Sequence, residues 1–173
     1  PGLCYGWAGG EMSTDSAIGA YGRLFDLIVV GRPGAGRADP RRATLEAILF
    51  EAGRPILIAP HTAPKTIDGT VVISWNRSTE TARTIGFSMP LLQKAKRESL
   101  VRALQRPGLP VDLAQADSGS RPAGRVILEQ AAALGADVLV KGGYTQSRLR
   151  QMIFGGPTND ILAHAEIPVF MAH

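Results

Sequence analysis

The stretch KGGYTQSRLRQMIFGGPTND, Lys141 to Asp160, holds the residue pattern best suited to chemistry. Gly142-Gly143 directly follows an apolar run, and Gly155-Gly156 directly precedes a helix-like run. Lacking Cβ, glycines let main-chain amides approach a ligand closely, and a helix start contributes further N–H donors. Paired glycines at both ends of a loop therefore suit a small anion. Thr145, Ser147 and Thr158 add hydroxyls, and Arg148 and Arg150 add charge, although such arginines also serve as plain surface charges. Pro157 removes one N–H from the helix start, and Asp160 in the first turn would repel a phosphate while complementing the helix dipole.

Other chemistries have weaker support. GRPGAGRA, Gly31 to Ala38, has the two-glycine frame of a P-loop, but Arg37 and Ala38 stand where Lys and Ser or Thr are required. His61, His164 and His173 have no metal-ligand spacing, and no nucleophile elbow or paired-carboxylate pattern is present. Cys4 is the single cysteine, which excludes an internal disulfide framework and a cysteine-rich zinc site and fits a reducing cytoplasm. The net charge of +4 comes wholly from residues 61–173, and the densest basic run is KAKRESLVRALQR, Lys94 to Arg106. Without aromatic interleaving this run reads as a solvated helix face, and nucleic-acid binding is not expected. No apolar run approaches the roughly 18–20 residues of a membrane span, and the N-terminus lacks a secretory signal. The absence of an initiator Met leads us to expect a processed or truncated chain.

The loop must be positioned by strands and helices, and those elements recur. DLIVVGR (Asp26–Arg32) resembles DVLVKGG (Asp137–Gly143) at an offset of 111. ILFEAGRPILIAP (Ile48–Pro60) resembles ILAHAEIPVFMAH (Ile161–His173) at an offset of 113, with Ile48, Leu49, Ala52, Pro55 and Ala59 repeated. Two blocks in the same order indicate two copies of one unit. The short, wholly apolar runs suit strands covered on both faces, as in a parallel sheet, and the segments between them have helical periodicity. Asp39 is placed as an N-cap with Pro40 at the first helical position and Gly53 as the stop. In the second copy, Thr70–Asn76 reads as a strand, and Ser78 or Thr79 caps a helix kinked at Pro90. Val111–Asp117 is a further strand and Gly124–Ala136 a helix. HTAPKTIDG, 61–69, is a linker rich in turn formers.

Two gaps interrupt this scheme. The first copy begins at about its third strand, with a helix near Asp15–Leu24. In the second copy no strand is evident between the helix ending near Lys96 and a helix SLVRALQR. We therefore expect a break in the chain near Arg97–Ser99, or deletion of that strand.

The segment GADVLVKGGYTQSRLRQMIFGGPTNDILAHAEIPVFMAH resembles the C-terminal half of a universal stress protein domain. The resemblance implies an α/β fold with an open, mostly parallel, five-stranded doubly wound sheet and a partial second copy at the N-terminus. It implies a tandem arrangement: residues 1–60 as the C-terminal portion of a first repeat, 61–69 as linker and 70–173 as a second repeat. ATP-binding members of that family carry G-x2-G-x9-G-[ST] after the fourth strand. Gly142 matches the first glycine, Thr145 stands at the second, Gly155 matches the third and Gly156 stands at the Ser/Thr position. Where those members place an Asp at the end of the first strand, this sequence has Asn76. The resemblance thus implies a stress-response binding or signalling module, at most a slow ATPase. ATP or another adenine nucleotide would be held by Asn76, Gly142, Gly143, Thr145, Ser147, Arg148, Gly155, Gly156 and Thr158. The alternative is a dimeric scaffold without nucleotide, acting through protein partners. Trp75 and Tyr144 would flank the same crevice or fill it. The resemblance also implies association through the last strand, with IPVFMAH pairing antiparallel with its equivalent in the other repeat or in a homodimer.

Overall fold

The computed structural model describes residues 6, 14–34, 36, 40–95, 97–101, 111–114, 117–143 and 156–173; for 97–101 and 111–113 only the backbone is considered. The elements in chain order are α1 (Asp15–Gly22), β1 (Ile28–Gly31), α2 (Arg42–Glu51), β2 (Ile56–Ala59), β3 (Thr70–Ser74), α3 (Thr79–Leu92), β4 (Arg97–Val101), β5 (Val111–Ala114), α4 (Ala123–Ala133), β6 (Val138–Gly142), α5 (Pro157–His164) and β7 (Val169–Ala172). The strands form one seven-stranded sheet in the order β1-β2-β7-β6-β3-β4-β5. Within it, β5-β4-β3-β6-β7 is a five-stranded unit whose neighbours all run parallel.

The apolar runs behave as two-sided strands. Val71, Val72, Val138, Leu139 and Val140 are fully buried, so both faces of the sheet centre are covered. On one face, α2 and α5 supply Leu45, Ile48, Leu49, Ile161 and Leu162 to a cluster with Ile56, Ile58, Leu139 and Met171, and α1 and α4 pack against its margin through Ile18 and Ile127. On the opposite face, α3 brings Ile85 and Leu92 against Val71, Ile73, Val138, Val140 and Phe170. Helix α3 starts where its sequence predicts: the Ser78 hydroxyl accepts from the Thr81 N–H at 3.1 Å. Pro90 lies in its last turn and withholds a donor from the carbonyl of Gly86. Gly53, at φ +61°, stops the chain after α2.

Strands β1 and β2 extend the sheet beyond β7. They pair in parallel from Ile28↔Ile56 to Gly31↔Ala59, just as β6 and β7 pair from Leu139↔Val169 to Gly142↔Ala172. The two ladders coincide under the sequence offsets, since 139 − 28 is 111 and 169 − 56 is 113. Their terminal hydrogen bonds match as well. Ile28 N–H reaches Pro55 O at 3.1 Å and Leu139 N–H reaches Pro168 O at 3.0 Å; Arg32 N–H donates to Ala59 O and Gly143 N–H to Ala172 O, both at 2.7 Å. β2 meets β7 antiparallel, with Ile56↔Met171, Leu57↔Phe170 and Ile58↔Val169. Leu57 and Phe170 are equivalent positions, so this seam is symmetric about their pair. Phe50 packs edge-on against His173 across it, and Arg32 donates to the carbonyl of Ala163.

Two expectations are overturned. Residues 97–101 form β4, paired along its whole length with Thr70–Ser74 of β3 and flanked on its other edge by β5. The strand expected to be deleted, or replaced by a chain break, is therefore present. The start of SLVRALQR belongs to a strand, and the basic run does not begin as a solvated helix face. Two flanking ladders outweigh the helical charge pattern of RESLV. Helix α2 begins at Arg42, after an extended Arg41 that makes no side-chain cap, so Pro40 precedes the helix instead of opening it. Pro40 is held in that role by packing against Gly31, whose Cβ position would lie 3.2 Å from its Cγ.

Candidate functional site

The candidate site lies above the carboxyl ends of β3 and β6, which are adjacent and parallel, with Ser74 opposite Lys141. From β3 the chain crosses through α3 to β4 on one side, while β6 lies on the other, so strand order reverses at this point. Open α/β sheets bind ligands in the crevice of such a reversal. Asn76 reaches it from the β3 side, and Gly142, Gly143, Gly156 and Thr158 from the β6 side. Thr145, Ser147, Arg148 and Gly155, together with Tyr144, lie outside the described residues.

The described site residues divide into structural and open groups. Asn76 Oδ1 accepts from the Ser78 N–H at 3.1 Å and from the Thr81 hydroxyl at 2.6 Å. Its acceptor thus builds the turn into α3, where Arg77 adopts φ +64°. Gly142 is glycine for reasons of packing: an added Cβ would stand 2.5 Å from Thr81 N in the first turn of α3. Gly143 lies against α2 and the end of β7, with Leu49 Cδ2 3.1 Å and Ala172 O 3.2 Å from its Cβ position. Gly156 differs, since its Cβ position meets nothing within 4 Å and its φ of +155° disfavours any side chain. It is the N-cap of α5 and makes no side-chain cap, so the first amides of that helix have no hydroxyl acceptor from position 156. Trp75 packs at the edge of the α3-side core, as half of the fill-or-flank alternative expected for that crevice.

Lys141 is the site residue that sequence reasoning missed. It interrupts the apolar run VLVKGG on the face it shares with Leu139, and it is only 7% exposed. Its Nζ donates to Gly142 O at 2.8 Å and to Thr158 Oγ1 at 3.1 Å, and Thr158 is itself buried in the first turn of α5. Burial pushes the Lys141 ammonium down to about 8 from 10.5. Both of its partners are neutral, and the start of α5 adds positive partial charge in the same place. The signal was available in the sequence, as a lysine at a two-sided strand position.

The universal stress protein family model matches residues 72–173. The chain belongs to that family. Its match spans β3 to β7, the unit whose five strands flank the crevice. A search of curated proteins returns no match. Among solved structures, a universal stress protein from Archaeoglobus fulgidus DSM 4304 superposes with a TM-score of 0.59 at 14% identity, over 85% of this chain and 60% of that one. A functionally unknown protein from Pseudomonas aeruginosa PAO1 gives 0.62 at 17% identity, over 94% and 68%. A protein from Pseudomonas aeruginosa UCBPP-PA14, described as a candidate universal stress protein, gives 0.63 at 18% identity, over 94% and 69%. These similarities establish the α/β fold of the family; this chain spans 60–69% of the length of those structures. Among the described residues, no helix is long and apolar enough to cross a membrane, and no group of three or more His, Cys, Asp or Glu is placed to hold a metal ion.

Proposed function

We propose that this chain is a tandem universal stress protein, with residues 1–60 as the end of one repeat, 61–69 as linker and 70–173 as a second repeat. Its role is that of a stress-response binding module, holding an adenine nucleotide with its phosphates over the β6–α5 loop. The tandem reading is supported by the coincident β1–β2 and β6–β7 ladders and by the seam centred on Leu57 and Phe170. The repeats then associate internally through their last strands.

One observation carries the nucleotide reading: the buried Lys141 ammonium, bonded to Thr158 at the start of α5, with no carboxylate salt bridge among the described residues. A phosphate at the start of α5 neutralises this charge and accepts from the helix amides. In this role Lys141 compensates for the departures at Thr145 and Gly156 by supplying charge beside the start of α5. The competing reading, a scaffold without nucleotide, is favoured by Asn76, whose acceptor is committed to Ser78 and Thr81.

Calorimetric titration with ATP separates the two. Binding that weakens as pH rises through about 8, and that is lost in Lys141→Met, supports the nucleotide site. No heat at millimolar ATP favours the scaffold. Gly142 substitutions are unsuitable probes, because a side chain there collides with the backbone of α3 whether or not a ligand binds.

A further inference from the structure

The surroundings of Lys141 suit an anion better than the cation the side chain normally carries. Its amine is closed off from water, and both of its partners, Gly142 O and Thr158 Oγ1, are neutral. Among the described residues no carboxylate pairs with it: Glu46 on α2 is bridged by Arg42, and Asp160 leans on α4 at Gly124. Thr158 lies in the first turn of α5, and the start of α4 is pressed against that turn. A Cβ on Gly124 would stand 2.5 Å from both Pro157 O and Asp160 Cβ. Neither helix has a side-chain cap, since Pro122 and Gly156 hold the two N-cap positions. Two helix starts thus bring positive partial charge to one corner of the molecule. Burial lowers the ammonium to about 8, so free amine is present near neutral pH.

We propose that Lys141 is a reversible carbon dioxide site, its Nζ taking up CO2 as a carbamate that lies against the start of α5. The amine lone pair attacks the carbon of CO2. An N–C bond forms, one C–O π pair moves onto oxygen, and the nitrogen releases a proton to water. Nothing is oxidised or reduced, and loss of CO2 reverses the step. The product exchanges a buried cation for a carboxylate that accepts from the Thr158 hydroxyl and from the amides of the helix start. The Thr158 hydroxyl, which now accepts from Nζ, turns to donate. Among the described residues the Cβ position of Gly156 meets nothing within 4 Å, so the helix start has open space beside it. An exposed lysine such as Lys65 keeps its proton in water and gains no such partners. The inference shares its site with the nucleotide reading without resting on it. Carbamate and phosphate are alternative anions at one place, and the modification replaces a charge that attracts phosphate with one that repels it.

The test uses the 173-residue chain, free of nucleotide and equilibrated at fixed pH with isotopically labelled bicarbonate and CO2. Carbamates are trapped by alkylation with a trialkyloxonium salt and located by peptide mass spectrometry. Saturable label is expected on Lys141, about tenfold or more above that on Lys65, and lost when CO2 is removed before trapping. Thr158→Val should weaken CO2 uptake at Lys141 about tenfold, as expected for loss of a hydrogen bond to a charged group. Unchanged amide exchange at Val140 shows that this variant keeps its fold. No label on Lys141, label no greater than on Lys65, or label indifferent to Thr158→Val would each overturn the proposal. ATP titrated in CO2-free buffer keeps the two readings apart. Label without ATP heat removes the nucleotide site alone, and ATP heat without label removes the carbamate alone.

Discussion

Strands β6 and β1 hold matching registers with their inner neighbours, yet one is buried along its whole length and the other is half open. β6 runs between β3 and β7 with helices on both faces; β1 has β2 on one edge and helices on one face. Their sequences, VLVKG and IVVG with the preceding Leu27, are equally strand-like. The difference teaches that apolar runs of this kind form strands wherever one neighbour sets the register. How deeply they are buried depends on what lies beyond. The contrast also explains why Lys141 stands out. A lysine on a half-open strand could extend into water, but on β6 its ammonium must be satisfied within the protein.

The sharpest way to break this comparison is a charge in the middle of β6. Val140→Asp places a carboxylate where nothing polar is available and should destabilise the protein by about 4 kcal/mol or more, measured by urea denaturation. A smaller effect separates the matched pair facing the α2–α5 side. Leu139→Ala should cost about 3 kcal/mol, and Ile28→Ala, half-buried at the equivalent place, about 1 kcal/mol. Equal losses would mean that β1 is as enclosed as β6.

Lys141→Met comes next, with the opposite sign. The folded-state value of about 8 lies below the unfolded 10.5, so the unfolded chain binds the extra proton between those limits. The native lysine therefore costs stability below pH 8, and the protein gains stability as pH rises from 8 toward 10.5. The variant should be about 2 kcal/mol more stable at pH 7 without nucleotide, with the gain fading by pH 10.5. A difference independent of pH would mean that Lys141 is not buried as a cation. The smallest effect is expected at the free edge, where Val29→Asp should change stability by less than about 0.5 kcal/mol. That near-silence, set beside the loss at Val140, is the clearest measure of the contrast between the two strands.

Much of the fold was legible because its signals are local. The Ser78 cap, the Gly53 stop, the apolar strands and the repeat offsets each depend on residues a few positions apart. Of the candidate site, the sequence indicated the region and the end of the sheet, but not the packing demand on Gly142 or the hydrogen bonds that tie Asn76 into its turn. The first is glycine to admit α3, and the second folds the turn that starts it. Neither demand is visible without knowing where α3 lies. The strand at Arg97–Val101 was missed for a related reason, since its order comes from ladders to Thr70–Ser74 and Val111–Ala114 and its own residues read as the start of a charged helix.

The sequence by itself determined the class of fold, the two related blocks, the family and the position of the glycine loop, since periodicity, capping and spacing are properties of neighbours along the chain. Only the tertiary structure decided that 97–101 is a strand, that Leu57 meets Phe170 at the seam, that Lys141 is buried beside the start of α5 and that Val29 is largely exposed. Each of those depends on which distant segments lie side by side, because burial and main-chain pairing are set by neighbours in space.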